Sequence, residues 1–190
     1  IVFGDWSSDV CSSDLMTSYI ALLRGVNVGK ERRIEMKTLK SLLERLGYAS
    51  VSTYINSGNI LFRSDKTKSE LQNDIQTVIQ KEFGFDVPVL IKSQKEMKKI
   101  ADAIPSDWQN DSTQRTDVAY LFDSIDSKNI IDSLPINMAY ADVRYIKGAL
   151  IWHMMRENLN KSRLNGIIKN DLYQWMTVRN VNTARFLAQA

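Results

Sequence analysis

The stretch "VSTYINSGNILFRS", Val51 to Ser64, decides the fold. Val51 to Asn56 and Ile60 to Ser64 are two runs of strand length joined through Ser57, Gly58 and Asn59, which predicts a β-hairpin. Toward the N-terminus, Tyr19 to Arg24 is another apolar run of strand length. It is followed by Met36, Leu39, Leu42, Leu43 and Leu46 at helical spacing, with Gly47 where a C-terminal glycine cap belongs. Toward the C-terminus, Thr67 and Glu70 form a capping box ahead of Leu71, Ile75, Val78 and Ile79. Gly84 stops that helix, and Val87 to Lys92 is the next strand. The order strand, helix, strand, strand, helix, strand is the split βαβ unit of a ferredoxin-like fold.

The pattern continues. Ser93 and Glu96 offer a second capping box for a helix carrying Met97, Ile100, Ala101 and Ile104, ended by Pro105. After a polar loop, Val118 to Phe122 reads as a strand and Ile125 to Leu134 as a short helix. Tyr140 to Ile146 and Ala149 to Met155 form a hairpin around Lys147 and Gly148, and helices over Leu164 to Leu172 and Asn182 to Ala188 close the chain. The expectation is an α+β protein of two associated ferredoxin-like halves, residues 16–92 and 93–190, with additional C-terminal helices. The halves share an order of elements without a residue-level repeat, so duplication is only suggested. Tyr19, Ala21 and Leu23 alternate with Ile20 and Leu22, making the first strand apolar on both faces. The sheet face away from the helices therefore needs a cover, either the other half or a second chain.

Residues 1–15, "IVFGDWSSDVCSSDL", stand apart: they repeat Ser-Ser-Asp, carry no Lys or Arg, and precede a Met that opens a strand pattern. They resemble translated sequencing-adapter read-through and lack the cationic start of a secretory signal, so Met16 is the expected start. Leaving out Asp5, Asp9 and Asp14 moves the net charge from +3 to +6, and Cys11 leaves as well. That excludes a disulfide framework, a Cys nucleophile and thiolate zinc sites in the remaining chain. Of 190 residues 44% are hydrophobic and 25% charged, enough for one ordinary domain or two small ones sharing a core. No apolar run approaches the roughly 18 residues a membrane span needs, so a cytoplasmic location without membrane contact is expected. The single histidine, His153, lies in an alternating strand and reads as packed or edge. No metal site or cofactor is expected. Trp152, Met154, Met155 and Trp175 read as core, and Trp108 as a contact or a cap on the core.

The segment "ALLRGVNVGKERR", Ala21 to Arg33, looks like a phosphate loop without being one. Three residues rather than four separate Gly25 from Gly29-Lys30, and Glu31 stands where a magnesium-holding hydroxyl belongs. What remains is generic: Gly25 and Gly29 allow close backbone approach, Asn27 tolerates a left-handed turn, and Arg24, Lys30, Arg32 and Arg33 supply charge. In a split βαβ unit the first two strands run parallel, so this loop and the hairpin Asn56, Ser57, Gly58, Asn59 emerge at one end of the sheet. Together they can donate several hydrogen bonds to an anion or polar ligand, or they are ordinary turns. Downstream, Thr177 and Arg179 precede a helix starting near Asn180 or Asn182. A helix start there suits an anion or is a routine cap. Ser162, between Lys161 and Arg163, has no recognisable base and reads better as a cap than as a nucleophile.

"ALLRGVNVG", "YINSGN", "KSRLN" and "TVRNVNT", in this order and at these separations, resemble the bacterial family known as domain of unknown function 1697, across Met16 to Ala190. The resemblance implies membership but no reaction. The matching positions are Arg24, Gly25, Asn27, Gly29, Tyr54, Ser57, Gly58, Asn59, Ser162, Arg163, Leu164, Thr177, Arg179, Asn180 and Thr183. "KSRLN" exchanges the two cations of the more usual order. The expected activity is binding of a small anionic or polar ligand at the loop edge, through Arg24, Asn27, Asn59 and Arg179, with Gly25, Gly29, Asn56, Ser57, Gly58, Ser162, Arg163 and Asn180 around them. Whether the protein is an enzyme stays open: catalysis would rest on electrostatic positioning, with no catalytic residue named. The alternatives are a nucleic-acid-binding module using Lys30, Arg32 and Arg33, and a structural dimer without a ligand.

Overall fold

A computed structural model describes residues 16–29 and 32–190; the leader 1–15, Lys30 and Glu31 lie outside the described residues. Strands β1 (Thr17–Leu23), β2 (Ala49–Tyr54), β3 (Asn59–Ser64) and β4 (Val89–Ser93) form one antiparallel sheet in the order β2-β3-β1-β4. Helices α1 (Met36–Arg45) and α2 (Lys68–Phe83) pack on one face, burying Leu39, Leu43, Leu71, Ile75 and Ile79 against Ala21, Leu23, Ile60, Phe62 and Ile91. Both predicted capping boxes form, at Thr67–Glu70 and Ser93–Glu96, and Gly84 caps α2 in the left-handed region at φ 78°.

Helix α3 (Gln94–Asp102) leads to a second antiparallel sheet made of β5 (Gln114–Leu121), β6 (Asp142–Ile146), β7 (Ala149–Met155) and β8 (Met176–Asn180). Its order is β6-β7-β5-β8, followed by α4 (Val181–Gln189). Both sheets thus have the strand order of a ferredoxin-like half. The helices expected at Ile125–Leu134 and Leu164–Leu172 are short 3-10 turns instead: Asp123–Ile125, Lys128–Ser133, Leu164–Lys169 and Asp171–Trp175. Polar side chains break them up. Ser127 accepts from the Asn129 amide, and Asn170 accepts from Leu172 N while donating to Ser133 O, which offers the backbone an alternative to helix continuation.

A central core answers which cover the apolar sheet face needs. Ile20, Leu22 and Leu90 of the first sheet and Val118, Tyr120, Ala149 and Ile151 of the second meet around Met97 and Ile100 of α3 and Val181, Ala184 and Leu187 of α4. The cover comes from the same chain. Trp108 is buried in this core, and His153 stacks on it at 4.8 Å while bonding Thr116 Oγ1 through Nδ1. Trp152 and Met154 are buried on the outer face of the second sheet, but Met155 at the strand end is 40% exposed and Trp175, ending a 3-10 turn, is 46% exposed.

The two halves also end alike. A buried cation and a capping residue close the last strand of each, Lys92 and Ser93 before α3, Arg179 and Asn180 before α4. Each first strand is tied the same way to the glycine of its hairpin: Leu23 N to Gly58 O at 2.8 Å, and Leu121 N to Gly148 O at 3.0 Å.

Candidate functional site

The loop after β1 is held by one asparagine. Asn27, at φ 56°, donates from Nδ2 to Ile34 O at 3.0 Å and accepts from Ile34 N at 2.8 Å, closing the loop on itself. Asn is among the few side chains that tolerate this backbone region, because its short amide bonds locally. Val26 is thereby driven inward while Val28 is left 75% exposed.

The hairpin between β2 and β3 lies directly on that loop. A Cβ on Gly58, at φ 74°, would sit 2.6 Å from Val26 Cγ2 and 2.7 Å from Leu23 Cβ, so only glycine allows the approach. Asn59 is fully buried and fully engaged: Nδ2 donates to Tyr54 O and Ser57 Oγ, and Oδ1 accepts from Arg179 Nε at 2.6 Å.

Arg179 joins the halves. Besides Asn59, its guanidinium donates to Thr177 Oγ1 at 3.0 Å, Val178 O at 2.8 Å, Leu23 O at 2.9 Å and Ser57 O at 2.9 Å, with a longer contact to Gly58 O at 3.4 Å. Its five N–H groups therefore all have neutral acceptors from this chain. Among the described residues no carboxylate pairs with it, and burial pulls its pKa down to about 10. A buried guanidinium without a counter-charge leaves a positive field at the surface above it.

That surface is a cleft of about 270 Å³ lined by Leu23, Gly25, Val26 and Val28 of the first loop, Ile55 and Ser57 of the hairpin, and Val178, Arg179, Asn180 and Thr183 of the second half. Asn180 caps α4 by accepting from Thr183 N at 2.9 Å, so the first turn of α4 adjoins the cleft. The fold thus brings Gly25, Ser57, Arg179 and Asn180 to one place, with Asn27, Gly58 and Asn59 shaping its walls from behind. Gly29 and the exposed Asn56 stand in the same two loops outside the lining. Arg24 turns elsewhere: its Nε donates to Tyr173 O and Met176 O, and its guanidinium lies 5.5 Å over the Tyr173 ring. Ser162 is buried, donating to Leu159 O and accepting from Leu164 N, and neither it nor the exposed Arg163 lines the cleft. Val28, Ile55 and Val178 escape a sequence search because apolar residues in turns and strands carry no chemical signature. Among the described residues no group of three or more His, Cys, Asp or Glu side chains is gathered to hold a metal.

The chain matches the model of a family described as protein of unknown function (DUF1697) over residues 16–152. It belongs to that family. The match spans the first loop and the hairpin and ends before Ser162, Arg163, Arg179 and Asn180. The fold is also that of a solved structure, the conserved bacterial protein SP0830 from Streptococcus pneumoniae. The two are 26% identical, with a TM-score of 0.80 over 92% of this chain and 98% of that one. No curated protein matches the chain. No helix among the described residues is long and apolar enough to cross a membrane.

Proposed function

We propose that the protein binds a small anionic ligand in the cleft above Arg179. The observation that carries this reading is a buried guanidinium with no carboxylate partner at the floor of a cleft. With its donors used internally, Arg179 acts through charge and by holding the loops in place. The direct contacts fall to the first amides of α4 and to the hydroxyls of Ser57 and Thr183. The apolar sheet face that motivated a dimer is covered by α3 and α4, which leaves the interaction reading without its main support.

The test is an amide chemical-shift titration of the full chain with inorganic phosphate and with citrate, repeated on Val28→Asp. Val28 is an exposed rim residue, so the substitution adds a negative charge at the mouth without touching the core. Shifts at Gly25, Val181 and Asn182 in the parent, weakened about tenfold in affinity by Val28→Asp, support the reading. No movement of these amides, or equal titration of both proteins, overturns it. Tighter binding of a short oligonucleotide, falling steeply with salt, would transfer the reading to nucleic acid through Arg32 and Arg33.

A further inference from the structure

Lys92 occupies in the first half the place that Arg179 holds in the second. Lys92 pairs with Ile20 across β1, Arg179 with Val118 across β5, and both turn toward the central core. Each reaches the glycine turn of the opposite half. Arg179 bonds the carbonyls around Gly58, and Lys92 Nζ lies 3.0 Å from where a Cβ on Gly148 would stand.

The outcomes differ. Arg179 is satisfied five times, whereas Lys92, only 4% exposed, has no hydrogen bond or ion pair among the described residues. Lysine is almost never buried without a partner. The neighbouring carboxylates are engaged: Glu96 accepts from Lys68 at 2.5 Å and from Ser93, and Asp126 accepts from Tyr145, Gly148 N and Lys147. Burial, against the pull of these carboxylates, lowers the Lys92 pKa and so raises the share of neutral amine.

Lys92 also faces open space. It lines a cavity of about 230 Å³ with Leu90, Phe122, Trp175, Asp123 and Ser124. The cavity shares Gln72, Phe122 and Trp175 with a cleft of about 550 Å³ along α2, and neither shares a residue with the cleft above Arg179. Trp175, half-exposed and edge-on to Phe122 at 6.5 Å, supplies an aromatic wall. The Asp123 carboxylate in the lining disfavours a simple anion here, since Lys68 is already neutralised by Glu96.

We propose that Lys92 is a nucleophilic amine that forms an imine with a small carbonyl compound carrying a flat apolar body, bound between Phe122, Trp175 and the Lys92 side chain. The Nζ lone pair attacks the carbonyl carbon, the C–N bond forms, and the π pair moves to oxygen, which takes the first of the two protons that the nitrogen gives up, leaving a neutral carbinolamine. The carbinolamine then loses that oxygen as water: the nitrogen gives up a proton, the oxygen gains one, and the C=N bond replaces C=O. Asp123, without a side-chain partner among the described residues, is the group in the lining able to carry protons between nitrogen and oxygen.

The test treats the full chain with limiting 4-formylbenzaldehyde and cyanoborohydride and maps the reduced adducts by peptide mass spectrometry across pH 6 to 9. The expected result is labelling of Lys92 about fivefold or more faster than the exposed Lys128 and Lys169, despite its burial. Its rate should level off at lower pH than theirs and fall in Trp175→Ala while theirs stay unchanged. Lys92→Met, which keeps the side-chain volume, should remove that adduct alone and leave unfolding by urea cooperative. Adducts spread over the exposed lysines, with Lys92 slower than they are or titrating like them, would overturn the proposal.

Discussion

Replacing Arg179 by Met should cost the protein a large part of its stability, and the structure sets the size. Five charge-assisted hydrogen bonds leave the guanidinium for acceptors in three separate segments. At the low end of about 1.5 kcal/mol each they outweigh the cost of burying the charge. Burial of the charge works against them, as the pKa pulled down to about 10 reflects. A net loss on the order of 4 kcal/mol on replacement compares with roughly 5–15 kcal/mol for a whole domain. Urea unfolding followed by the fluorescence of the buried Trp108 and Trp152 measures it. A cycle with Asn59→Ala adds a sharper reading, because the 2.6 Å bond between the two requires the single losses to be non-additive by about 1–3 kcal/mol. Arg179→Met within about 1 kcal/mol of the parent, or strict additivity with Asn59→Ala, would refute the view that this residue ties the halves together.

Two further outcomes follow from local geometry. Gly58→Ala should destabilise by about 3 kcal/mol, since its methyl meets Val26 and Leu23 at 2.6 and 2.7 Å. Gly25→Ala, at a similar φ of 68° with nothing within 4 Å, should cost only about 1 kcal/mol; equal melting-temperature losses would show the close approach to be unimportant. Glu96 provides the acid dependence. Burial opposes its ionisation, but hydrogen bonds from Lys68 and Ser93 hold its pKa at about 2. Its contribution is present above the ordinary value of 4.5 and fades as pH falls toward 2. With the side chain 39% exposed it amounts, after screening, to about 1 kcal/mol. Glu96→Gln should therefore lose about that amount at pH 7 and only a small part of it at pH 2, as denaturant curves at the two pH values would reveal.

Local signals made much of this fold legible. The capping boxes at Thr67 and Ser93, the glycine stops at Gly47 and Gly84 and the hairpins at Gly58 and Gly148 depend on a few adjacent residues, and each forms. The helical periods at Ile125–Leu134 and Leu164–Leu172 misled, because Ser127 and Asn170 bond their own backbone more favourably than they extend a helix. The candidate site was legible in part. Chain direction alone brings the loop after β1 and the β2–β3 hairpin to one sheet end, but nothing local says that Arg24 turns to Tyr173 while Arg179 reaches Leu23 from 156 residues away.

The sequence by itself determined an α+β chain of strands and helices in a definite order, because hydrophobic period, caps and turn residues act over a handful of positions. The tertiary structure alone decided how the halves meet, that α3 and α4 cover the inner sheet face, and that Arg179 and Lys92 fall on matching positions with opposite fates. Burial and hydrogen-bond satisfaction belong to groups distant in the chain: the same kind of buried cation is locked by five acceptors in one half and left facing a cavity in the other.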